Sequence, residues 1–176
     1  MSLPHALLTS LLERPCSGSE LAGRFDRSIG YFWQASHQQI YRELSRLEAG
    51  GLIEALEPEA SRGRPRAYRV LPAGRAELAR WVDEVSEPRP LRDELMVRLR
   101  AAAVLGTTGL AEDLRSRLQR HRDMLARYRE IEARDFTPPP ATRDARLRHL
   151  VLKAGIRHES NWIDLCVDAL EILSAE

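Results

Sequence analysis

The sequence is short of lysine, of cysteine and of long apolar runs, and each shortage excludes something. Of the 27 basic residues in a chain of 176, Lys153 is the only lysine. The others are arginines, the better fork-shaped phosphate binders, although so uniform a bias also fits a genome-wide composition. Two cysteines, Cys16 and Cys166, lie far apart and form no CxxC, which argues against a disulfide scaffold and a zinc knuckle. No run approaches the roughly 20 apolar residues that a membrane span needs. The N-terminal stretch lacks the basic flank and cleavage pattern of a signal peptide, so a cytoplasmic location with no membrane partner is expected. Net charge is only +1. That excludes nucleic-acid binding through bulk positive charge but leaves room for a local basic patch. The histidines at 5, 37, 121, 149 and 158 show no HExxH or paired ligand spacing, and no GxSxG, P-loop or dinucleotide fingerprint occurs. Neither a metal nor another cofactor is therefore expected. No nucleophile–base arrangement that would make an enzyme can be assembled from these spacings.

What is present is an ordinary folded composition, 43% hydrophobic and 30% charged, in a length that suits one or two domains. The alternating prolines of Ser86-Glu87-Pro88-Arg89-Pro90 cannot continue a helix and favour an extended connection. They divide the chain into an expected first domain, 1–85, a linker, 86–90, and a second domain, 91–176. In the first, Ser2 and Pro4 open a helix with an apolar face of Leu7, Leu8, Leu11 and Leu12, which Pro15 ends. Ser17-Gly18-Ser19-Glu20 reads as a capping box for a second helix that turns Leu21, Phe25 and Ile29 inward and stops at Gly30. After the aromatic stretch Tyr31-Phe32-Trp33, Ser36 is a good N-cap for a third helix with Ile40, Leu44 and Leu47 at helical spacing, ended by Gly50-Gly51. Leu52 to Leu56 and Tyr68 to Val70 read as a β-hairpin around a long tip containing Gly63 and Pro65. Leu78, Trp81, Val82 and Val85 mark a fourth helix. Three helices followed by a hairpin is the order of a winged helix-turn-helix.

The second domain reads as helical throughout. Leu91, Leu95, Val97, Leu99 and Ala102 to Leu105 form a short apolar helix. Leu110, Leu114, Leu118, Leu125, Tyr128 and Ile131 step along a long Arg-rich one. Past Pro138-Pro139-Pro140, a last helix beginning near Thr142 carries Leu147, Leu150, Val151, Ala154, His158, Trp162, Leu165, Ala169 and Leu173, close to a seven-residue apolar repeat. A stripe about 50 Å long is more than a small domain covers easily, and a partner chain is expected on it. Leu147, Leu150, Trp162, Leu165 and Leu173 are the expected dimerisation residues. The expected fold is mainly α with a small β-hairpin wing, an N-terminal winged helix-turn-helix joined to a C-terminal helical dimerisation domain.

With Ile40, Leu44 and Leu47 buried, Gln38, Gln39, Arg42 and Arg46 of the third helix face solvent. Gln pairs bidentately with adenine and Arg with guanine in a major groove, so this face suits base reading, although polar helix faces are common on soluble proteins. Arg62, Arg64, Arg66 and Arg69 fall within eight residues that contain no acid, which makes the hairpin tip a local phosphate site. The combination of reading helix and basic loop points to double-stranded DNA.

The run Gln39-Ile40-Tyr41-Arg42-Glu43-Leu44-Ser45-Arg46-Leu47-Glu48-Ala49-Gly50-Gly51-Leu52-Ile53 resembles the recognition helix and turn of PadR-family transcriptional regulators. Gly63-Arg64-Pro65-Arg66-Ala67-Tyr68-Arg69-Val70 is similar to the family's wing, and Leu71-Pro72 stands where a Thr is common, a departure that affects a cap rather than the DNA face. Leu91-Arg92-Asp93-Glu94-Leu95 and the surroundings of Gly155, Glu159 and Trp162 are similar to the C-terminal domain of the larger, virulence-activator type of subgroup. The resemblance implies a homodimer that binds a palindromic operator and represses transcription, with Ser36, Gln38, Gln39, Tyr41, Arg42, Arg46, Arg62, Arg64 and Arg66 at the DNA. It also implies a small aromatic or drug-like effector near the dimer interface, a role for the second domain beyond dimerisation. Trp162, His158 and Trp33 are candidate contacts for it, with Tyr31 secondary, although an aromatic in an apolar stripe also fits simple packing. For His158 an interface role and a pH-sensitive role stand beside ligand contact. A transcriptional activator with the same DNA-binding parts, or a helical interaction module that does not bind DNA, are the rival readings.

Overall fold

The computed structural model of the chain describes residues 3–27, 35–56, 66–87, 90, 92–106 and 109–174. They form two compact units, Met1–Pro88 and Arg89–Glu176.

The first unit runs α1 (Leu3–Glu13), β1 (Cys16–Ser17), α2 (Gly18–Arg27), α3 (His37–Ala49), β2 (Ile53–Ala55), β3 (Ala67–Val70) and α4 (Pro72–Val82). Helix α1 stops short of Pro15, whose missing N–H removes a helical hydrogen bond. It buries Leu7, Leu8 and Leu11 against Leu21 of α2 and Ile40, Leu44 and Leu47 of α3, with Ile53 of β2 closing the cluster. The capping box that opens α2 is formed: Ser17 N–H donates to Glu20 Oε2 at 3.0 Å and Glu20 N–H to Ser17 Oγ at 3.2 Å. These bonds from Ser17 hold the Glu20 carboxyl below its usual range. Ser2, Phe25's side chain, Ile29, Gly30 and Tyr31-Phe32-Trp33, all singled out above, lie outside the described residues.

The hairpin pairs antiparallel with Ile53 opposite Val70, Glu54 opposite Arg69 and Ala55 opposite Tyr68. It is also one strand richer than expected. Cys16 and Ser17 pair with Tyr68 and Ala67, giving a three-stranded order β1-β3-β2. Two residues are too few to display an alternating pattern, and both were legible only as a cap.

Helix α4 starts at Pro72 behind Leu71, which supplies no side-chain cap. Trp81 stacks on His5 of α1 with ring centroids 4.3 Å apart, and His5 Nε2 bonds Glu77 Oε1 at 3.1 Å. The expected inward placement of Val82 and Val85 does not hold. The helix ends at Val82, and both valines are exposed, because past the last turn the three-to-four-residue spacing no longer points side chains to one face. Gly74 is where α4 meets the sheet. A Cβ there would lie 2.2 Å from the Leu52 carbonyl oxygen and 2.8 Å from Val70 Cγ1.

The second unit is α5 (Glu94–Leu105), α6 (Leu110–Asp135) and α7 (Arg143–Ser174). Asp93 caps α5 by accepting from Leu95 N–H at 2.8 Å, and Gly106, at φ 62, ends it in the left-handed region that glycine tolerates. Thr142 Oγ1 accepts from Ala145 N–H at 3.3 Å at the start of α7. Leu95 of α5, Leu110, Leu114 and Leu118 of α6, and Cys166 and Ala169 of α7 form one core. Leu125 and Tyr128 extend the buried face of α6, and Gly155 admits the Tyr128 ring.

The apolar positions of α7, expected on a single stripe, divide between two faces. Leu152, Glu159, Cys166 and Ala169 are buried, and Trp162 and Leu173 pack against the chain's own core. Leu147, Leu150 and Val151 face away and are about half exposed, and Ile172 is 72% exposed. A seven-residue spacing cannot separate neighbouring stripes on a helix that drifts about 20° per heptad, which is why the two merged in the sequence. On α5, Val97, Val104 and Leu105 are likewise exposed rather than inward. Cys16 and Cys166 are free and buried, and burial pushes the Cys166 thiol up. No helix among the described residues is long and apolar enough to cross a membrane.

Two outcomes follow from this packing. Gly74→Ala should destabilise the first unit by about 1–3 kcal/mol, because the methyl group meets a backbone carbonyl that cannot rotate aside, and denaturant unfolding measures it. Arg80, with His5 assisting, holds Glu77 down to about 2 from an ordinary 4.5. A depressed carboxyl stabilises the fold above its unfolded value, and that contribution disappears as pH falls from 4.5 toward 2. Glu77→Gln should therefore flatten the acid limb of the melting temperature in that window.

Candidate nucleic-acid interface

The outward face of α3 is set by what the helix buries. Ile40, Leu44 and Leu47 point into the core, which leaves Gln38, Arg42 and Ser45 exposed along the opposite side. Arg42 makes no ion pair among the described residues, so its guanidinium fork is uncommitted. Ser45 turns its hydroxyl back to the Tyr41 carbonyl at 3.1 Å. Arg46, also exposed, leans on Glu43 at 3.4 Å.

Gln39 has a different place from Gln38. Ser36 sits in extended backbone at φ −72, ψ 154 and accepts from Gln39 N–H at 3.3 Å, while Gln39 Oε1 accepts from Ser36 N–H at 2.8 Å. The two residues close a capping box. The oxygen that a bidentate adenine contact would require is thus turned into the helix start. Tyr41 is 46% exposed and leans over the start of α2, where a Cβ on Gly18 would come within 2.6 Å of its ring. It stands at the edge of the outward face.

In the hairpin, Arg66 is exposed, with Nη2 3.7 Å from Glu48 Oε1. Arg69 forms an ion pair with Glu54, its ladder partner on β2. The stretch from Arg62 to Arg69 has no acid of its own, but α3 and β2 deliver one to each of its two described arginines. Glu48 and Glu54 went unnoticed in the sequence, since only strand register brings them to the wing. Exposed pairs of this kind are worth about 0–1 kcal/mol, so Glu48 yields readily to a competing anion. Arg62 and Arg64, with Gly63 and Pro65, lie outside the described residues.

In the second unit, Trp162 stacks on His121 of α6 with centroids 5.6 Å apart, and His158 meets it edge-on at 6.3 Å. His121 Nδ1 lies 2.5 Å from Glu159 Oε2, a buried carboxylate that the sequence reading passed over. Near the other end of the helix pair, His149 bonds Glu132 at 2.6 Å and stacks on Phe136. Of the expected dimerisation residues, Leu147 and Leu150 are exposed, Leu165 is half-buried, and Trp162 and Leu173 touch the chain's own core. Of the effector candidates, Trp162 and His158 stand together and Trp33 lies outside the described residues. Among the described residues no cluster suits a metal ion.

The capping box carries an expected outcome. Gln39→Ala should lower stability by about 0.5–2 kcal/mol, the range for loss of a cap, whereas Gln38→Ala should stay within about 0.5 kcal/mol. Urea unfolding of the two variants tests the difference.

Residues 7–80 match the transcriptional regulator PadR-like family, and residues 91–174 match the virulence activator alpha C-terminal family. A probable transcriptional regulator of Mycobacterium tuberculosis is 42% identical over 187 residues, covering 97% of this chain and 98% of that protein. The structure of the Vibrio cholerae virulence activator AphA superimposes with a TM-score of 0.83 at 33% identity, covering 99% of each chain. Bacillus subtilis PadR in complex with operator DNA shares the fold, with a TM-score of 0.82 at 21% identity over 98% of this chain and 99% of that one. The chain belongs to the PadR-like family of transcriptional regulators.

Proposed function

We propose that this regulator acts in the cytoplasm as a homodimer that binds a palindromic operator and represses transcription. The observation that carries the reading is the outward face of α3, where Arg42, unpaired among the described residues, and the exposed Gln38 lie opposite the buried Ile40 and Leu44. Such a helix enters a major groove with side chains free to meet base edges. The wing supplies phosphate contacts that position the helix and carry no sequence information. Arg62, Arg64 and Arg66 provide them, Arg66 by exchanging Glu48 for a phosphate. The second unit holds two such readers at a fixed spacing, and an effector that alters the spacing weakens binding because both half-sites must be engaged together.

A small aromatic acid is the effector class we favour, since Bacillus subtilis PadR has been crystallised with p-coumaric acid. Trp162 and His158 are the described side chains proposed to meet it. The activator reading keeps a specific support: AphA, a virulence activator, is 33% identical to this chain. Repression is supported by the negative regulator PadR of Bacillus subtilis, at 23% identity. Footprinting upstream of the gene, paired with transcription from the same template, separates the two by the sign of the response.

Arg42→Ala should reduce discrimination between operator and random DNA by about 1–3 kcal/mol, the value of a good bidentate base contact. Arg64→Ala should weaken both DNAs alike and make the log–log salt slope shallower by up to about two in the dimer. Titrations at several salt concentrations check both, and a proportionate loss on both DNAs in Arg42→Ala would leave that helix positioning rather than reading.

A further inference from the structure

Helix α7 is polarised in charge along its length. From Arg143 to Arg157 it carries five cations and one acid, and from His158 to Ser174 four acids and neither Lys nor Arg. This is the reverse of what the helix dipole favours, which is acid at the N-terminus and base at the C-terminus. Nor does the chain use these charges internally. Glu159 is taken by His121, but among the described residues Arg146, Arg148, Lys153, Arg157, Asp164, Asp168 and Glu171 make no ion pair.

The same helix leaves an apolar seam open. Leu147, Val151, Ala154, Leu165 and Ile172 lie on one side of it, away from α6, with Leu165 half-buried and the others exposed. Toward the acidic end, the seam borders a cleft of about 410 Å³ between α5 and α7, lined by Leu99, Ala102, Leu165, Asp168 and Ile172 among others. A basic, apolar-faced helix would complement that end, and the basic half of α7 is such a helix.

We infer that two copies of the chain pair through antiparallel α7 helices, each basic half lying along the partner's acidic half and seated in its α5–α7 cleft. The inference rests on the homodimer reading above and specifies its surface and register. With the two-fold axis between Glu159 and Ser160, Leu147 faces Ile172 of the partner subunit, Ala154 faces the partner's Leu165, and Arg148 faces the partner's Glu171. Lys153 and Arg157 then fall within about half a turn of the partner's Asp168 and Asp164. The two-fold forms every pair twice, so one helix supplies both halves of the complementary surface. A parallel pairing would set like charges against each other along the whole seam and is disfavoured.

Charge exchange tests the register. Arg148→Glu and Glu171→Arg, each alone, should weaken the dimer by about tenfold or more in sedimentation equilibrium, because attraction becomes repulsion at two places. The double variant should return to within about threefold of wild type. Within one α7 these two positions are about 34 Å apart, so recovery can come only from the partner. Cysteine cross-linking gives an independent answer, with the wild-type chain as background for its buried Cys16 and Cys166. The pair Leu147→Cys with Ile172→Cys should link two chains through a short bis-maleimide. Leu147→Cys alone should not, its copies lying about 37 Å apart in this register. Unchanged dimerisation in the single charge variants, no recovery in the double one, or linking by Leu147→Cys alone overturns the proposal. All of these are read without DNA. A dimer built on another face would therefore sink this register and leave operator binding intact, while a monomer at all concentrations would sink the homodimer reading as well.

Discussion

The packing of α3 against α1 is the contact on which the first unit depends. Ile40, Leu44 and Leu47 are almost wholly buried against Leu7, Leu8 and Leu11. Each such side chain is worth about 1.5–3 kcal/mol when removed from water. A helix anchored along one stripe has no rotational freedom left, so burial of three residues decides where Gln38, Arg42 and Ser45 point. The outward face is thus a consequence of the core, and its precision as a reading surface derives from apolar packing rather than from the polar residues themselves. The close approach of α4 to the sheet at Gly74 and the His5–Trp81 stack extend the same rigidity from the helices to the wing.

The second unit solves a different problem. Two long helices can bury only one face against each other, and a short third helix covers only one end. The core that results runs from Leu95 to Ala169, and polar side chains replace it elsewhere: Glu159 with His121, and Glu132 with His149. Hydrogen-bonded carboxylate–imidazole pairs stacked on Trp162 and Phe136 fix the relative position of α6 and α7 more strictly than slippery leucine contacts would. What such a pair of helices leaves uncovered is as informative as what it buries.

Much of this was legible in the sequence. Caps announced themselves at Ser17 and Ser36 because their partners lie three residues away, and helical spacing gave the buried faces of α1, α3 and α6. Three kinds of feature were not legible. Strand β1 is too short to have a period. The acids paired with Arg66 and Arg69 come from elements remote in sequence, brought in by strand register. The two faces of α7 blend because their spacings differ by less than one residue per heptad. In each case the missing information is tertiary. Gln39 is the instructive middle case: its chemistry suited base reading and its position suited a cap, and only geometry decides which atom goes where.

That cap has an evolutionary corollary. Regulators of one fold acquire new operators by exchanging side chains on the reading helix, and each exchange is tolerated only where the residue has no structural duty. At position 39 the amide oxygen closes the helix start, so a change of target through this residue also loosens the element that presents all the others. Positions 38 and 42 carry no such obligation. Divergence of operator preference among descendants of this chain should therefore concentrate there, with the first turn of the helix held constant by its own architecture.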